Sequence, residues 1–282
     1  MDNIRAVKDR CSFEKKIYLS SLTLSMLLCN IDSGILEPIR VARSGWAIIH
    51  AGTDSKAHFW RVVESILKTS QFIDSGWVDV EETAWATGFF SQLKGDNDPS
   101  VLAAIQWLKS NRLNGGGWGK HSRDRARIPT TALVLTLLPE AGSNEDYEWV
   151  AQEWAKDLSG SVQLSYKAGF YLLVAGHASI QGDSELIDRT INHLINDQND
   201  DGGFAPWKNH PIGSDPWSTG VVLWGLSKWI DRVDPAFMER ALHWLEVTQL
   251  PSGYWPYHYL DEGTSYALIG AVSAMRAMAS RK

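Results

Sequence analysis

The stretch Gly76-Trp77-Val78-Asp79-Val80-Glu81-Glu82-Thr83-Ala84 sets three carboxylates at a helix start directly after a Gly-Trp turn. Asp79 followed three residues later by Glu82 has the form of a capping box, with Asp79 as N-cap and Glu82 reaching back to the N-cap amide. The same crowding of acids also suits a proton donor, because neighbouring carboxylates raise one another's pKa. Spacing alone is compatible with both readings, so the rest of the chain has to decide between them.

Working outward, the Gly-Trp turn recurs. One unit runs from Phe59 through Gln71 and Gly76-Trp77 into a helix from Glu81 to Leu93. The next runs from Val101 through Asn111 and Gly116-Gly117-Trp118 into Thr130 to Leu138. A third runs from Leu186 through Gln198 and Gly202-Gly203-Phe204 into Trp217 to Trp229, and a fourth from Pro235 through Gln249 and Gly253-Tyr254-Trp255 into Thr264 to Met278. Between the second and third lies a degenerate pair, Asp146 to Leu158 and Ser161 to Ala175, and Ser12 to Cys29 with Gly34 to Ile49 supplies another pair at the N-terminus. Each unit is helix, turn, helix. About twelve helices in six pairs close into a ring, so the fold is predicted to be all-α, an (α/α)6 toroid. Apolar residues three apart, as in Ile105 and Leu108 or Leu242 and Leu245, support helices over strands. Pro129, Pro216 and Pro235 sit at helix starts, where a missing amide costs nothing. No linker divides the chain, and residues 1–282 are read as one domain.

Composition narrows the function. With 282 residues, 44% hydrophobic and 21% charged, the chain can bury a sizeable core. A net charge of -6 argues against a nucleic-acid partner, which would need a dominant basic face. The only cysteines, Cys11 and Cys29, suggest neither a disulfide framework nor a zinc site, which fits a reducing cytoplasm. The apolar run from Ile17 to Cys29 is too short for a bilayer and reads as a buried helix, so no transmembrane segment is expected. Peripheral membrane contact remains open to such a chain. The 14 tryptophans, most of them at equivalent places in the repeats, are the compositional outlier.

These repeats resemble the glutamine-tryptophan repeats of squalene-hopene cyclases and other class II terpene cyclases. Asp79 to Thr83 is similar to that family's Asp-x-Asp-Asp-Thr motif. Asn114 to Gly119 resembles its Asn-Gly-Gly-Trp-Gly turn, Trp217-Ser218-Thr219-Gly220 its Tyr-Gly-Thr-Gly stretch, and Ala241 to Trp255 a further repeat. The resemblance runs from about Phe59 to the C-terminus. It implies protonation-initiated carbocationic cyclisation of a polyprenyl substrate, a prenyl diphosphate or a prenylated natural product. Glu81 then stands where the family has its proton-donating Asp, with Asp79 as partner and Glu82 beside them. Leu133 stands where the family has a His in a Thr-Ala-His pattern. The family's second barrel has no counterpart here, so a second subunit could complete the site. No cofactor is implied, except that Mg2+ could accompany a diphosphate, and no protein metal site is expected.

The chemistry asks for matching surroundings. An acid that protonates an alkene must stay protonated near neutral pH, which takes burial or a neighbouring carboxylate. The cation then needs π faces, each contributing roughly 0.5 to 2 kcal/mol. Trp85 and Phe89, one and two turns beyond Glu81, are candidates, as are Trp207, Trp217, Tyr254, Trp255, Tyr257 and Tyr259 on turns at the same end of the ring. Trp77, Trp118 and Trp255 also read as turn clamps that stack on the preceding Gln. Lys120, Arg123, Arg125 and Arg127 lie on one basic loop and could grip a diphosphate. The competing reading is a non-catalytic α/α toroid that binds an isoprenoid or a protein, with the acidic run reduced to a helix cap.

Overall fold

The computed structural model describes residues 37–177 and 183–281. The Ser12 to Cys29 helix and both cysteines lie outside them. Eleven α-helices follow in order: α1 (Pro38–His50), α2 (Trp60–Ser70), α3 (Val80–Lys94), α4 (Pro99–Ser110), α5 (Ile128–Leu137), α6 (Asn144–Leu158), α7 (Ser165–Ala175), α8 (Ser184–Asp197), α9 (Pro216–Leu226), α10 (Pro235–Thr248) and α11 (Leu260–Ser280). No strand occurs among the described residues.

Odd-numbered helices form the inner ring. Each packs on the next, α1 on α3, α3 on α5, and so on to α11, and α11 packs back on α1, so the toroid closes. Helices α4, α6, α8 and α10 lie outside: α6 bridges α5 and α7, α10 bridges α9 and α11, α4 packs on α3 and α8 on α7, and α2 packs over α1 and α3. Burial follows from this placement. Every residue of α9 but Trp217 is buried, which requires a helix apolar all round. Outer α2 buries only Trp60, Val63 and Leu67, one stripe at helical spacing. Helices α9 and α11 touch backbone to backbone, because a Cβ on Gly220 would stand 2.2 Å from the Tyr266 carbonyl oxygen and one on Gly270 2.1 Å from that of Gly220.

The repeat has a hydrogen-bond basis. The Trp77 indole donates to the Leu67 carbonyl at 3.2 Å, and Trp118 and Trp255 donate to Leu108 and Leu245 at 2.7 Å each. The backbone amides of Trp77, Trp118, Phe204 and Trp255 donate to Oγ1 of Thr83, Thr131, Thr219 and Thr264 at 2.8–3.0 Å. The glutamines contribute hydrogen bonds of their own to the turn. Gln71, Gln198 and Gln249 donate through Nε2 to the carbonyls of Ser75, Gly202 and Gly253, closing the turn themselves. Some helix ends differ from the sequence reading by three residues or more. Helix α7 starts at Ser165 rather than Ser161, α11 starts at Leu260 rather than Thr264, and α9 stops at Leu226 and passes into a 3-10 turn, Ser227–Arg232.

Candidate active site at the N-terminal end of the inner helices

The turns feed the inner helices in at one end of the ring, and a cavity of about 340 Å³ lies there. Glu81, Pro129, Trp217 and Glu262 line it. Each stands two residues before the threonine that accepts the turn amide, or before its equivalent in the repeat: Thr83, Thr131, Thr219 and Thr264. Leu133 and Tyr266, two residues after the threonine, line it as well, joined by Thr130, Tyr166, Phe170, Pro206, Tyr257, Lys120 and Arg127. Leu133 thus occupies the wall at the position the resemblance assigns to a histidine.

The aromatic side chains form one cluster. Trp217 lies parallel to Tyr257, with ring centroids 6.0 Å apart, and makes tilted or edge contacts with Tyr166 at 4.9 Å, Tyr266 at 5.7 Å and Phe170 at 6.3 Å. Burial pushes the phenols of Tyr257 and Tyr266 well above their usual range, so both stay neutral at physiological pH.

Glu81 is the second residue of α3. About a quarter of its side chain (24%) is accessible, on the cavity side, and protein surrounds the rest. Burial raises its pKa; Lys120 and Arg43 oppose the shift, while the charges of Asp79 and Glu262 add to it. Lys120 Nζ stands 3.9 Å from Glu81 Oε2. Asp79 is the N-cap, but its hydrogen bond runs to the Glu82 amide at 2.8 Å rather than to the Glu81 carboxyl. Only half of the expected capping box forms. Glu82 Oε1 accepts the amide of Ile39 at 3.0 Å instead, so this side chain caps the neighbouring α1, whose own N-cap, Glu37, makes no side-chain cap. Burial raises the Glu82 pKa too, against the bond from Ile39.

A second cavity of about 410 Å³ adjoins the first and shares Glu81, Lys120 and Glu262 with it. Asp79, Glu82, Arg40, Arg43 and Tyr259 also line this outer chamber. Arg43 is buried (3% exposed) and donates to Asp261 at 2.9 Å, and its other terminal nitrogen lies 3.8 Å from Glu262. Arg40 donates to the same Asp261 at 2.8 Å.

The remaining candidates are placed as follows. Trp85 is fully buried beneath the cavity, edge-on to Tyr266 at 5.9 Å and Trp46 at 5.8 Å, and Phe89 lies deeper still against Trp60. Neither lines the cavity, because α3 turns these positions toward α1. Trp255 is a buried clamp, Tyr254 is buried in the same turn, and Trp207 is 41% exposed against His210. Tyr259 faces the outer chamber beneath the Arg40 guanidinium. On the basic loop Lys120 and Arg127 line the inner cavity, whereas Arg123 and Arg125 are exposed and outside it. Asp124 organises this loop. It accepts the Lys120 and Arg125 amides and the Arg127 guanidinium, and these bonds pull its pKa down to about 2. Among the described residues no group of three His, Cys, Asp or Glu side chains is placed to hold a metal ion. No described helix is long and apolar enough to cross a membrane.

Solved structures of known proteins share this fold. The type II terpene cyclase MstE from Scytonema, in a variant bound to its substrate geranylgeranyl dihydroxybenzoate, superposes with a TM-score of 0.70 over 85% of this chain and 88% of that one, at 15% identity. This chain has the fold of type II terpene cyclases. The ent-copalyl diphosphate synthase from Streptomyces platensis matches with a TM-score of 0.59 at 14% identity, over 86% of this chain and 51% of the synthase. A possible member of the GH105 family from Klebsiella pneumoniae matches with a TM-score of 0.55 at 12% identity, over 84% and 82%. A shared fold does not by itself fix the chemistry, so function has to be argued from the site. No protein-family model and no curated protein matches the chain.

Proposed function

We propose that the chain is a class II terpene cyclase in which Glu81 protonates an alkene of a polyprenyl substrate and the aromatic cavity guides the resulting cation. One observation carries this reading: the carboxyl whose pKa burial raises opens into a cavity walled by Tyr166, Phe170, Trp217, Tyr257 and Tyr266. The fold shared with MstE, which binds a geranylgeranyl substrate, supports it.

In the first step the alkene π pair takes the Glu81 proton, a C–H bond forms, and positive charge develops on the more substituted carbon. Each further ring closes as the next π bond attacks that carbon. The ring faces of Trp217, Tyr257 and Tyr266 stabilise the moving charge by roughly 0.5 to 2 kcal/mol each. Neutral phenols are poor nucleophiles, so they shelter the cation rather than capture it. Loss of a proton, or capture by water, ends the sequence. Asp79 holds the start of α3 in place and its charge keeps Glu81 harder to ionise. Lys120 and Arg127, on the wall of the same cavity, are the groups available to a charged head, a smaller set than the four basic residues of the loop.

Incubation with farnesyl diphosphate, geranylgeranyl diphosphate and squalene, followed by product analysis, tests the proposal. Wild type should yield a cyclic product from at least one substrate, and Glu81→Gln none while remaining folded. Tight isoprenoid binding without any cyclic product would replace the enzyme by the binding toroid.

A further inference from the structure

Resting on the cyclase reading, we infer that Lys120 couples the arrival of an anionic head group to protonation of Glu81, which makes it a positioning and specificity residue for isoprenoids that carry a strong anion. The geometry begins with the backbone. The Lys120 carbonyl accepts the Val80 amide, the first of α3, at 3.0 Å, and the Lys120 amide donates to Asp124 at 3.1 Å. The loop is thereby pinned to the helix that carries Glu81, and the lysine side chain has to leave it beside that carboxyl.

The side-chain contact is of a different kind. At 3.9 Å the ammonium and Glu81 Oε2 attract each other without a hydrogen bond, and 48% of the lysine side chain is accessible. The partnership can be given up. Of the other charged groups facing Glu81, Arg43 on α1 is held by Asp261, Asp79 is tied to the Glu82 amide, and Glu262 on α11 is a carboxylate, 3.8 Å from Arg43, that no anion would draw away. Tyr266, also on α11, is neutral. Among the described residues Lys120 is thus the cation beside Glu81 that a ligand can draw away. It lines both chambers, so an anion in either can reach it. Arg127, shared with Asp124 at 2.8 Å, offers a second contact. The inner helices also begin here, and their dipoles favour an anion.

Charge balance then sets the outcome. Before binding, Lys120 faces the Glu81 carboxylate. An anionic head that takes Lys120 as partner adds one negative charge and strips Glu81 of its counter-charge, and uptake of one proton by the Glu81 carboxylate restores the balance. Because Glu81 also lines the outer chamber, that proton can come from bulk water. The acid is loaded when an anionic substrate is present, and an uncharged isoprenoid leaves the Lys120–Glu81 pair undisturbed and gives Glu81 no such push toward its protonated form.

Calorimetry in buffers of different ionisation enthalpy reads this proton directly. Phytanyl sulfate is a suitable probe: its saturated chain cannot react, and its head does not titrate near neutrality. Wild type should take up close to one proton per sulfate bound at some pH in the neutral range, and none with phytanol. Glu81→Gln should bind the sulfate without uptake. Lys120→Met should weaken binding of the sulfate at least tenfold more than it weakens binding of phytanol and take up little, and Lys120→Arg should restore uptake. Sulfate binding to wild type without uptake, or uptake that persists in Glu81→Gln, would overturn the coupling and leave the cyclase reading to its own turnover test. Failure of both sulfate and phytanol to bind would overturn the two together.

Discussion

Glu81 is under opposed demands, and both leave measurable traces. To donate a proton it must be protonated, so turnover should fall as pH rises through its elevated pKa, and a pH-rate profile of kcat should show that single descending limb. The same shift bears on stability. A carboxyl whose folded pKa lies above the unfolded 4.5 binds its proton more tightly in the folded state, so stability declines as pH rises from 4.5 through the folded value and stays lower beyond it. Glu81→Gln should therefore raise Tm at neutral pH, leave it nearly unchanged at pH 4, and abolish turnover at both. A Glu81→Gln protein that is less stable at neutral pH would show the carboxylate to be a structural ion-pair partner of Lys120. Glu82 has a second role, because it caps α1: Glu82→Ala should cost about 1 kcal/mol in denaturant unfolding, while Glu82→Gln, which keeps the acceptor oxygen and removes a charge that burial disfavours, should not. This use of Glu82 was not legible in the sequence. Its partner Ile39 is 43 residues away, and a local capping box explained the same spacing.

Helices are where most of the sequence reading survives, for a physical reason. The turn needs a glycine, an indole or large aromatic, and a threonine hydroxyl at fixed offsets, so the hydrogen bonds are written in residue types. The site is partly legible by the same rule. Counting two residues back from each clamping threonine gives Glu81, Pro129, Trp217 and Glu262, all cavity residues. Glu262 and Tyr266 escaped notice because α11 begins at Leu260, four residues ahead of the start the sequence suggested, although Asp261 and Glu262 mark a helix first turn. Tyr166 and Phe170 lie on α7, in the degenerate pair that has no Gly-Trp turn to fix an offset. The close approach of α9 and α11 is an element-scale property that one methyl can test. Gly220→Ala would place a Cβ 2.2 Å from the Tyr266 carbonyl oxygen, and overpacking of this kind typically costs about 1–3 kcal/mol. Because Tyr266 walls the cavity, the variant should also change isoprenoid binding; stability and affinity both equal to wild type would contradict the packing described.

For the molecule as a whole, closure of the ring rests on α11 meeting α1, and Asp261 joins them by holding Arg40 and the buried Arg43. Asp261→Ala would leave a buried guanidinium without its carboxylate, a change that typically costs about 3–5 kcal/mol. Urea unfolding should show that loss, and an unchanged midpoint would mean that the ring does not depend on this junction. The same two helices meet again further along, where His50 and Ser273 share a hydrogen bond of 3.0 Å. Burial, helped by Arg276 and Lys228, lowers the His50 pKa from 6.5 to about 4. The folded state therefore binds this proton less tightly than the unfolded state does, and stability should drop as pH falls from about 6.5 toward 4. His50→Gln should flatten that acid limb. The closed ring brings Glu81 from its second inner helix and Glu262 from its sixth to one cavity, and the central claim is that Glu81 delivers a proton there. Turnover in D2O tests this most directly. With farnesyl or geranylgeranyl diphosphate or squalene as substrate, wild type should give a cyclic product carrying a carbon-bound deuterium from solvent, and Glu81→Gln should give none. A cyclic product without solvent deuterium, or equal labelling by the Glu81→Gln variant, would contradict the account.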